Sequence, residues 1–145
     1  MQTAKLKTIG AILYRIENNQ ILYLLLQYPD KAWGFPKGIQ DGNETLEETA
    51  KREIWEETAI KNLELDPKHK FEFDYFCVYD NITYHKFATL FLAKTAEKTV
   101  KISHEHLHFA WLNFEEALKR LTYDNNKEVL RLAHNMIYEK VKGIK

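Results

Sequence analysis

Glu53, Glu56 and Glu57 stand at i, i+3 and i+4 in a stretch, residues 44–59, that contains neither Gly nor Pro. Glu, Lys, Arg, Leu and Ala dominate that stretch, so it reads as a helix of about four turns. On a wheel of about 100° per residue, Leu46, Ala50 and Ile54 form one apolar stripe. Glu53 and Glu57 fall inside the stripe and Glu56 flanks it, whereas Glu47 and Glu48 point away and are expected only to solvate the helix. A Glu-rich helix is ordinarily a surface helix laced with i,i+4 ion pairs. Angular position argues otherwise here, because a carboxylate turned towards a protein body must be paired, protonated or bound to metal. Three carboxylates at this spacing, with no run of Lys on the same face, make a hard oxygen-donor site suited to Mg²⁺ or Mn²⁺; zinc would favour His or Cys.

The elements that must position this helix are mostly strands. Residues 6–16 and 21–28 are rich in β-formers and are separated by Glu17-Asn18-Asn19-Gln20, a hairpin signal. A polar, Pro-containing loop, 29–43, leads into the helix. Residues 71–79 and 83–93 form a second hairpin around Asp80-Asn81, followed by short strands at 99–102 and 109–112 and helices at 114–121 and 126–141. Strands interrupted by one helix and closed by two more argue for an α+β fold with a mixed-sheet sandwich. A two-residue turn at Asp80-Asn81 pairs Cys77 with Tyr84 and Tyr75 with Lys86, which puts Tyr75, Tyr79, Tyr84 and Lys86 on one face. Aromatic rings beside a Lys suit a nucleotide. Phe71, Phe73, Leu90 and Leu92 share that parity, so core packing and ligand binding are both open to this face.

Composition bounds the partners. The 145 residues carry 21 Lys+Arg against 21 Asp+Glu, so no whole-molecule charge draws the chain to nucleic acid or an anionic membrane, and a polyanion must meet a local basic cluster. Lys140, Lys142 and Lys145 make a mildly basic tail that reads as a solvated helix end. Cys77 is the only cysteine, which excludes an intrachain disulfide or a multi-cysteine metal site and makes the cytoplasm the expected location. The longest apolar runs, 21–26 and 87–93, fall far below the ~18 residues of a membrane span, and neither a signal peptide nor a membrane helix is expected. With no internal repeat or linker, residues 1–145 read as one domain. Oligomeric state is not legible.

The carboxylate helix carries a family resemblance. Gly38, Glu44, Arg52-Glu53-Ile54, Glu56-Glu57 and Ile60 stand at the spacing of the Nudix box, G-x5-E-x7-R-E-U-x-E-E-x-G-U with U aliphatic. The one departure is Ala59, where the family has Gly. A left-handed Ala costs about 1 kcal/mol, so the helix is expected to close differently here. The resemblance implies a Nudix-like α/β/α sandwich and hydrolysis of a nucleoside diphosphate linked to another group. By match to the motif, Glu53, Glu56 and Glu57 would bind the divalent cations. Arg52 would orient a catalytic Glu through a salt bridge and pair with Glu44, and Gly38 would let backbone approach the metal site. Glu57 is a candidate for accepting the proton of the attacking water.

Two further segments resemble the asymmetrical diadenosine tetraphosphate hydrolases within that family. Trp33-Gly34-Phe35-Pro36-Lys37-Gly38 leads into the box and sets Lys37 beside the carboxylate helix, where a cation could meet phosphate oxygens. Ser103-His104-Glu105-His106, followed by Trp111-Leu112 and Phe114-Glu115-Glu116-Ala117, is the second. Glu105 resembles the acid that in related enzymes completes the metal site or acts as base. His104, His106 and His108 alternate, which on a strand would align them as a metal site, although such a run on a solvent face needs no ligand. The resemblance favours Tyr79 and Tyr123 as a pair sandwiching an adenine, with Lys86 near the phosphates. It implies asymmetrical cleavage of diadenosine tetraphosphate to ATP and AMP. The alternatives are removal of pyrophosphate from an RNA 5′ end, hydrolysis of another nucleotide, or a nucleotide-sensing module without turnover.

Overall fold

The computed structural model describes residues 2–141, so Lys142 and Lys145 of the basic tail lie outside the described residues. Its centre is a mixed sheet. Strands β1 (Gln2–Glu17) and β2 (Gln20–Gln27) form the first hairpin, closed at Asn18 and Asn19, whose φ values of 51° and 60° are those of a tight two-residue turn. Strands β5 (Leu63–Tyr79) and β6 (Ile82–Thr95) form the second, closed in the same way at Asp80 and Asn81. Cys77 pairs with Tyr84 and Tyr75 with Lys86, the register expected from the sequence. The two hairpins join through a parallel ladder between β1 and β6, giving the order β3-β2-β1-β6-β5.

Helices cover both faces. Helix α1 (Leu46–Thr58) lies on one side, where Ala50 and Ile54 pack with Ile9, Ala11, Leu13 and Phe91. Helices α2 (Phe114–Arg120) and α3 (Asp124–Lys140) lie on the other, burying Ala117, Leu130, Ala133 and Ile137 against Ile12, Tyr23 and Leu90. Alternate residues of β1 serve opposite cores, as the strand period of two requires. The architecture is the α/β/α sandwich expected. Among the described residues no helix is long and apolar enough to cross a membrane.

Four local features differ from the sequence reading. First, the 29–43 loop contains two short strands, β3 (Trp33–Gly34) on β2 and β4 (Lys37–Ile39) on β1. Pro36 and two glycines hide this pairing from a propensity argument, yet a β-ladder fixes the loop. Second, β5 begins at Leu63 rather than at residue 71, because its pairing with β6 breaks between Asp66 and Lys70 at Pro67 and resumes beyond it. Third, residues 99–102 form no strand; β7 (His108–Leu112) follows directly. The N–H of Lys101 donates to the Thr58 carbonyl at 3.0 Å and that of Ser103 to the Glu57 carbonyl at 3.2 Å. This segment therefore satisfies the orphan carbonyls at the end of α1 instead of joining a sheet.

The fourth feature is α1 itself. It starts at Leu46, two residues later than Glu44, with Thr45 as cap: the Thr45 hydroxyl accepts from the Glu48 N–H at 3.1 Å and the Glu48 carboxylate accepts from the Thr45 N–H at 2.8 Å. Glu48 thus closes the helix start rather than merely solvating it. At the other end Ala59 adopts φ 65° and ψ 14°, and its N–H donates to the Trp55 carbonyl. The helix closes as it would with Gly, and the altered ending expected for Ala does not occur. Relief of left-handed strain of about 1 kcal/mol, partly offset by the freer unfolded chain, should make Ala59→Gly more stable by about 0.5 kcal/mol in urea denaturation, with turnover unchanged.

Candidate active site

Helix α1 places its carboxylates at graded depth. Glu57 is buried at 8% exposure, the Glu53 side chain is 15% exposed and that of Glu56 is 43% exposed. This is the order the helical wheel gives. Arg52 binds three of the nearby acids at once: Nε and Nη2 donate to Glu44 at 2.6 and 3.0 Å, and Nη1 donates to Glu53 at 2.8 Å and Glu56 at 2.6 Å. Nη2 also donates to the Ile39 carbonyl at 2.9 Å, which ties α1 to β4. The guanidinium holds the Glu44 carboxyl down at about 2, well below the ordinary carboxylate range.

Glu57 behaves differently. Burial, with the neighbouring charges of Glu53 and then Glu105 adding, pushes its carboxyl up to about 9. Its Oε1 accepts from the backbone N–H of Lys37 at 3.1 Å, so loop and helix are joined at this carboxylate. Gly38 follows, and a Cβ there would stand 2.0 Å from the Glu53 carboxyl carbon, so only Gly leaves room for that carboxylate. Among the described residues no three Asp, Glu, His or Cys side chains converge as a closed metal cage. Arg52 hydrogen-bonds both Glu53 and Glu56. The donor set nonetheless fits a hard divalent cation: three carboxylates within one and a half turns, beside a glycine cradle.

The remaining expected residues line two confluent clefts. The carboxylate cleft, about 710 Å³, is lined by Glu53, Glu57, Gly38 and Glu105, the last an exposed acid at its edge. The second, about 360 Å³, is lined by Tyr79, Tyr123, Trp33 and Asn126. Lys37, Lys86, Tyr75 and Tyr28 line both. Burial lowers the Lys37 ammonium to about 8, with the nearby Lys86 charge adding, and its Nζ donates to the Tyr75 hydroxyl at 3.1 Å. Trp33 and Thr122 exchange hydrogen bonds, Trp33 N–H to the Thr122 hydroxyl at 2.8 Å and Thr122 N–H to the Trp33 carbonyl at 3.3 Å. That link holds Tyr123 over the cleft.

Sequence reasoning missed two groups. Tyr75 is the nearer partner of Tyr123, with ring centroids 6.1 Å apart and planes 25° from parallel, while Tyr79 stands at the rim at 74% exposure. The hairpin register could have identified Tyr75, which it placed on the same face. The histidines do not align: His104 and His108 are exposed, whereas His106 is buried in a turn, with Nδ1 2.9 Å from the Ser103 hydroxyl and Nε2 3.7 Å from Glu57. Strand alternation therefore does not apply before residue 108, and a three-histidine site is excluded by this geometry. Burial also lowers the His106 pKa, which leaves the ring a neutral wall behind Glu57.

Comparison with known proteins agrees with this arrangement. The NUDIX domain profile matches residues 5–133. An asymmetrical bis(5′-nucleosyl)-tetraphosphatase of Caenorhabditis elegans is 33% identical over 128 residues, covering 86% of this chain and 91% of that one. A dihydroneopterin triphosphate diphosphatase of Haemophilus influenzae is 27% identical over 141 residues, covering 90% and 89%. The crystal structure of a C. elegans Ap4A hydrolase binary complex superposes with a TM-score of 0.76 at 26% identity, over 94% of this chain and 99% of that one.

Two outcomes follow from the site geometry. Gly38→Ala should fold normally, because the clashing atom is the end of a flexible side chain, yet displacing the Glu53 carboxylate should cost turnover about 100-fold in steady-state assays. For Glu57, a raised folded-state pKa means the proton is held at neutral pH and, without metal, stability is lost as pH rises from about 4.5 towards 9. If the Glu57 carboxylate is a ligand of Mg²⁺, the affinity for that ion should rise over the same window with release of a proton. Calorimetry in buffers of different ionisation enthalpy reads that release, and Glu57→Gln should abolish it.

Proposed function

Because the chain belongs to the Nudix family and is a pyrophosphohydrolase by that membership, we propose that its substrate is a dinucleoside polyphosphate, diadenosine tetraphosphate, cleaved asymmetrically to ATP and AMP. The observation that carries this reading is the confluence of the two clefts. A ring-lined cleft opens through Lys37 and Lys86 into the carboxylate cleft, as a ligand with a flat base at one end and a phosphate chain beyond it requires. The tetraphosphatase named among the relatives supports the same choice.

Hydrolysis forms a bond between a water oxygen and phosphorus, while the bridging oxygen leaves with the bonding pair and the water proton passes to a base. A divalent cation, Mg²⁺ or Mn²⁺, would be held by Glu53, Glu56 and Glu57 and would neutralise phosphate charge and acidify the water. Arg52 keeps Glu53 and Glu56 in reach, and Gly38 leaves the space Glu53 needs. Glu57 takes the water proton in this reading, because its carboxylate lies buried in the carboxylate cleft and is held by the Lys37 N–H; Glu105, exposed at the cleft edge, is the alternative base. Lys37 and Lys86 hold the phosphates by charge-assisted contacts. Tyr123 stacks on the base together with Tyr79 at the rim or Tyr75 within. The cytoplasm, with its nucleotide pool and reducing conditions, is the proposed location.

A pterin triphosphate is the second reading, favoured by the H. influenzae relative and by the same pairing of flat ring and phosphates. Product chromatography with diadenosine tetraphosphate, dihydroneopterin triphosphate, triphosphorylated RNA and nucleoside triphosphates decides between them. ATP and AMP as the fastest-formed products support the proposal, and preference for any of the three other classes refutes it. Within that assay Glu57→Gln should lose at least ~100-fold in kcat with the fold retained, and more than Glu105→Gln. Tyr123→Ala should lose about 1 to 3 kcal/mol in kcat/KM while Tyr123→Phe keeps most of it. Lys86→Ala should act mainly on KM.

A further inference from the structure

Asn126 lies in the first turn of α3 with only 4% of its surface exposed. Its side-chain Oδ1 is buried and accepts no hydrogen bond, a condition shared among the described residues with only two other side-chain atoms. A buried amide carbonyl without a donor is costly and marks a position that a partner is built to fill. Asn126 lines the ring-lined cleft beside Gly34, Tyr75 and Tyr123, and shares with Lys37, Tyr75 and Tyr123 a small void of about 10 Å³. Its Nδ2 comes within 3.4 Å of where a Cβ on Gly34 would stand, so the amide abuts the cleft's backbone wall. Its neighbour Asn125 spends its own amide on the Asp74 carbonyl at 3.1 Å, which pins the start of α3 to β5.

Other groups in the cleft give a ligand shape and charge without telling one ring from another. The tyrosines stack on any base, the lysines meet phosphate, and Asp30 turns its Oδ1 back to the Ala32 N–H at 2.9 Å. We propose that Asn126 reads the edge of the ring stacked on Tyr123, selecting a purine with an exocyclic 6-amino group next to a ring nitrogen. A carboxamide carries an acceptor and a donor side by side, and adenine presents the complementary donor and acceptor on one edge. The inference rests on the proposed function only in taking a nucleotide ring as the occupant of this cleft. A site built to hydrogen-bond an amine rejects the analogue without it far more strongly than an apolar pocket could.

The test is equilibrium binding of ATP and of purine riboside 5′-triphosphate, which lacks only the 6-amino group, measured by calorimetry with Ca²⁺ replacing Mg²⁺. The full chain is expected to bind ATP at least ~10-fold tighter than the analogue, and Asn126→Leu to bind both alike at the analogue's level. Asn126→Ala carries the comparison if the Leu variant does not fold, since it removes the amide without adding bulk; melting curves report the fold. Equal affinity of the unaltered protein for the two nucleotides, or discrimination that persists in a folded variant, overturns the assignment. A chain that discriminates between them, loses that discrimination in the folded Asn126 variant, and leaves diadenosine tetraphosphate uncut in the product assay upholds Asn126 while the proposed substrate falls. Binding of neither nucleotide overturns both.

Discussion

One guanidinium organises the catalytic half of this molecule. Arg52 contacts Glu44 near the start of α1, Glu53 and Glu56 in its middle, and the Ile39 carbonyl on the neighbouring strand. Carboxylates crowded on one helix face would otherwise repel each other, protonate or splay. A single planar cation with five donors distributes among them in a way that a Lys, with its compact charge, could not reproduce. Its reach is bounded. Glu57, one turn beyond, lies outside it and is governed instead by burial and by the backbone N–H of Lys37. Two acids are therefore braced by Arg52 and one is left to its surroundings, although all three share a helix.

Much of this was legible beforehand, for identifiable reasons. The depth of Glu53, Glu56 and Glu57 followed from helical period because α1 is regular and amphipathic, and the Tyr75–Lys86 pairing followed from a two-residue turn whose residues, Asp80 and Asn81, tolerate positive φ. What stayed hidden depends on distant partners. Strands β3 and β4 exist because β2 and β1 offer them ladders, and residues 101–103 run along the end of α1 because its carbonyls need donors. Neither condition is written in the local sequence. Buried His106 and Asn126 were invisible for the same reason, since polar residues in turn and helix-start contexts read as surface. Tyr75 was a different case: the correct face was in hand, but parity alone could not tell which tyrosine would meet Tyr123.

Ala59 shows how tertiary context overrides a local preference. The helix end is closed by the hydrogen bonds from residues 101 and 103 and by burial of Ile60, and these hold a left-handed Ala that the isolated chain would avoid. The strain sits two residues from Glu57, where the helix hands over to the short segment before β5. A sequence motif can thus lose one of its glycines while the backbone it describes is retained.

The central ladder has a consequence for how the chain reaches its native state. Strand β1 pairs with β6 in parallel, joining residues about eighty positions apart along the chain, and β4 with Gly38 is laid on that same β1. During synthesis the first hairpin must therefore wait, with one long apolar-rich edge open, until most of the polypeptide has left the ribosome. Until then this strand is exposed to mispairing with other nascent chains, and the carboxylate helix lacks the part of its packing surface that Phe91 of β6 supplies. Contact order of this kind points to slow, late-committing folding, in which catalytic competence arrives in a single closing step.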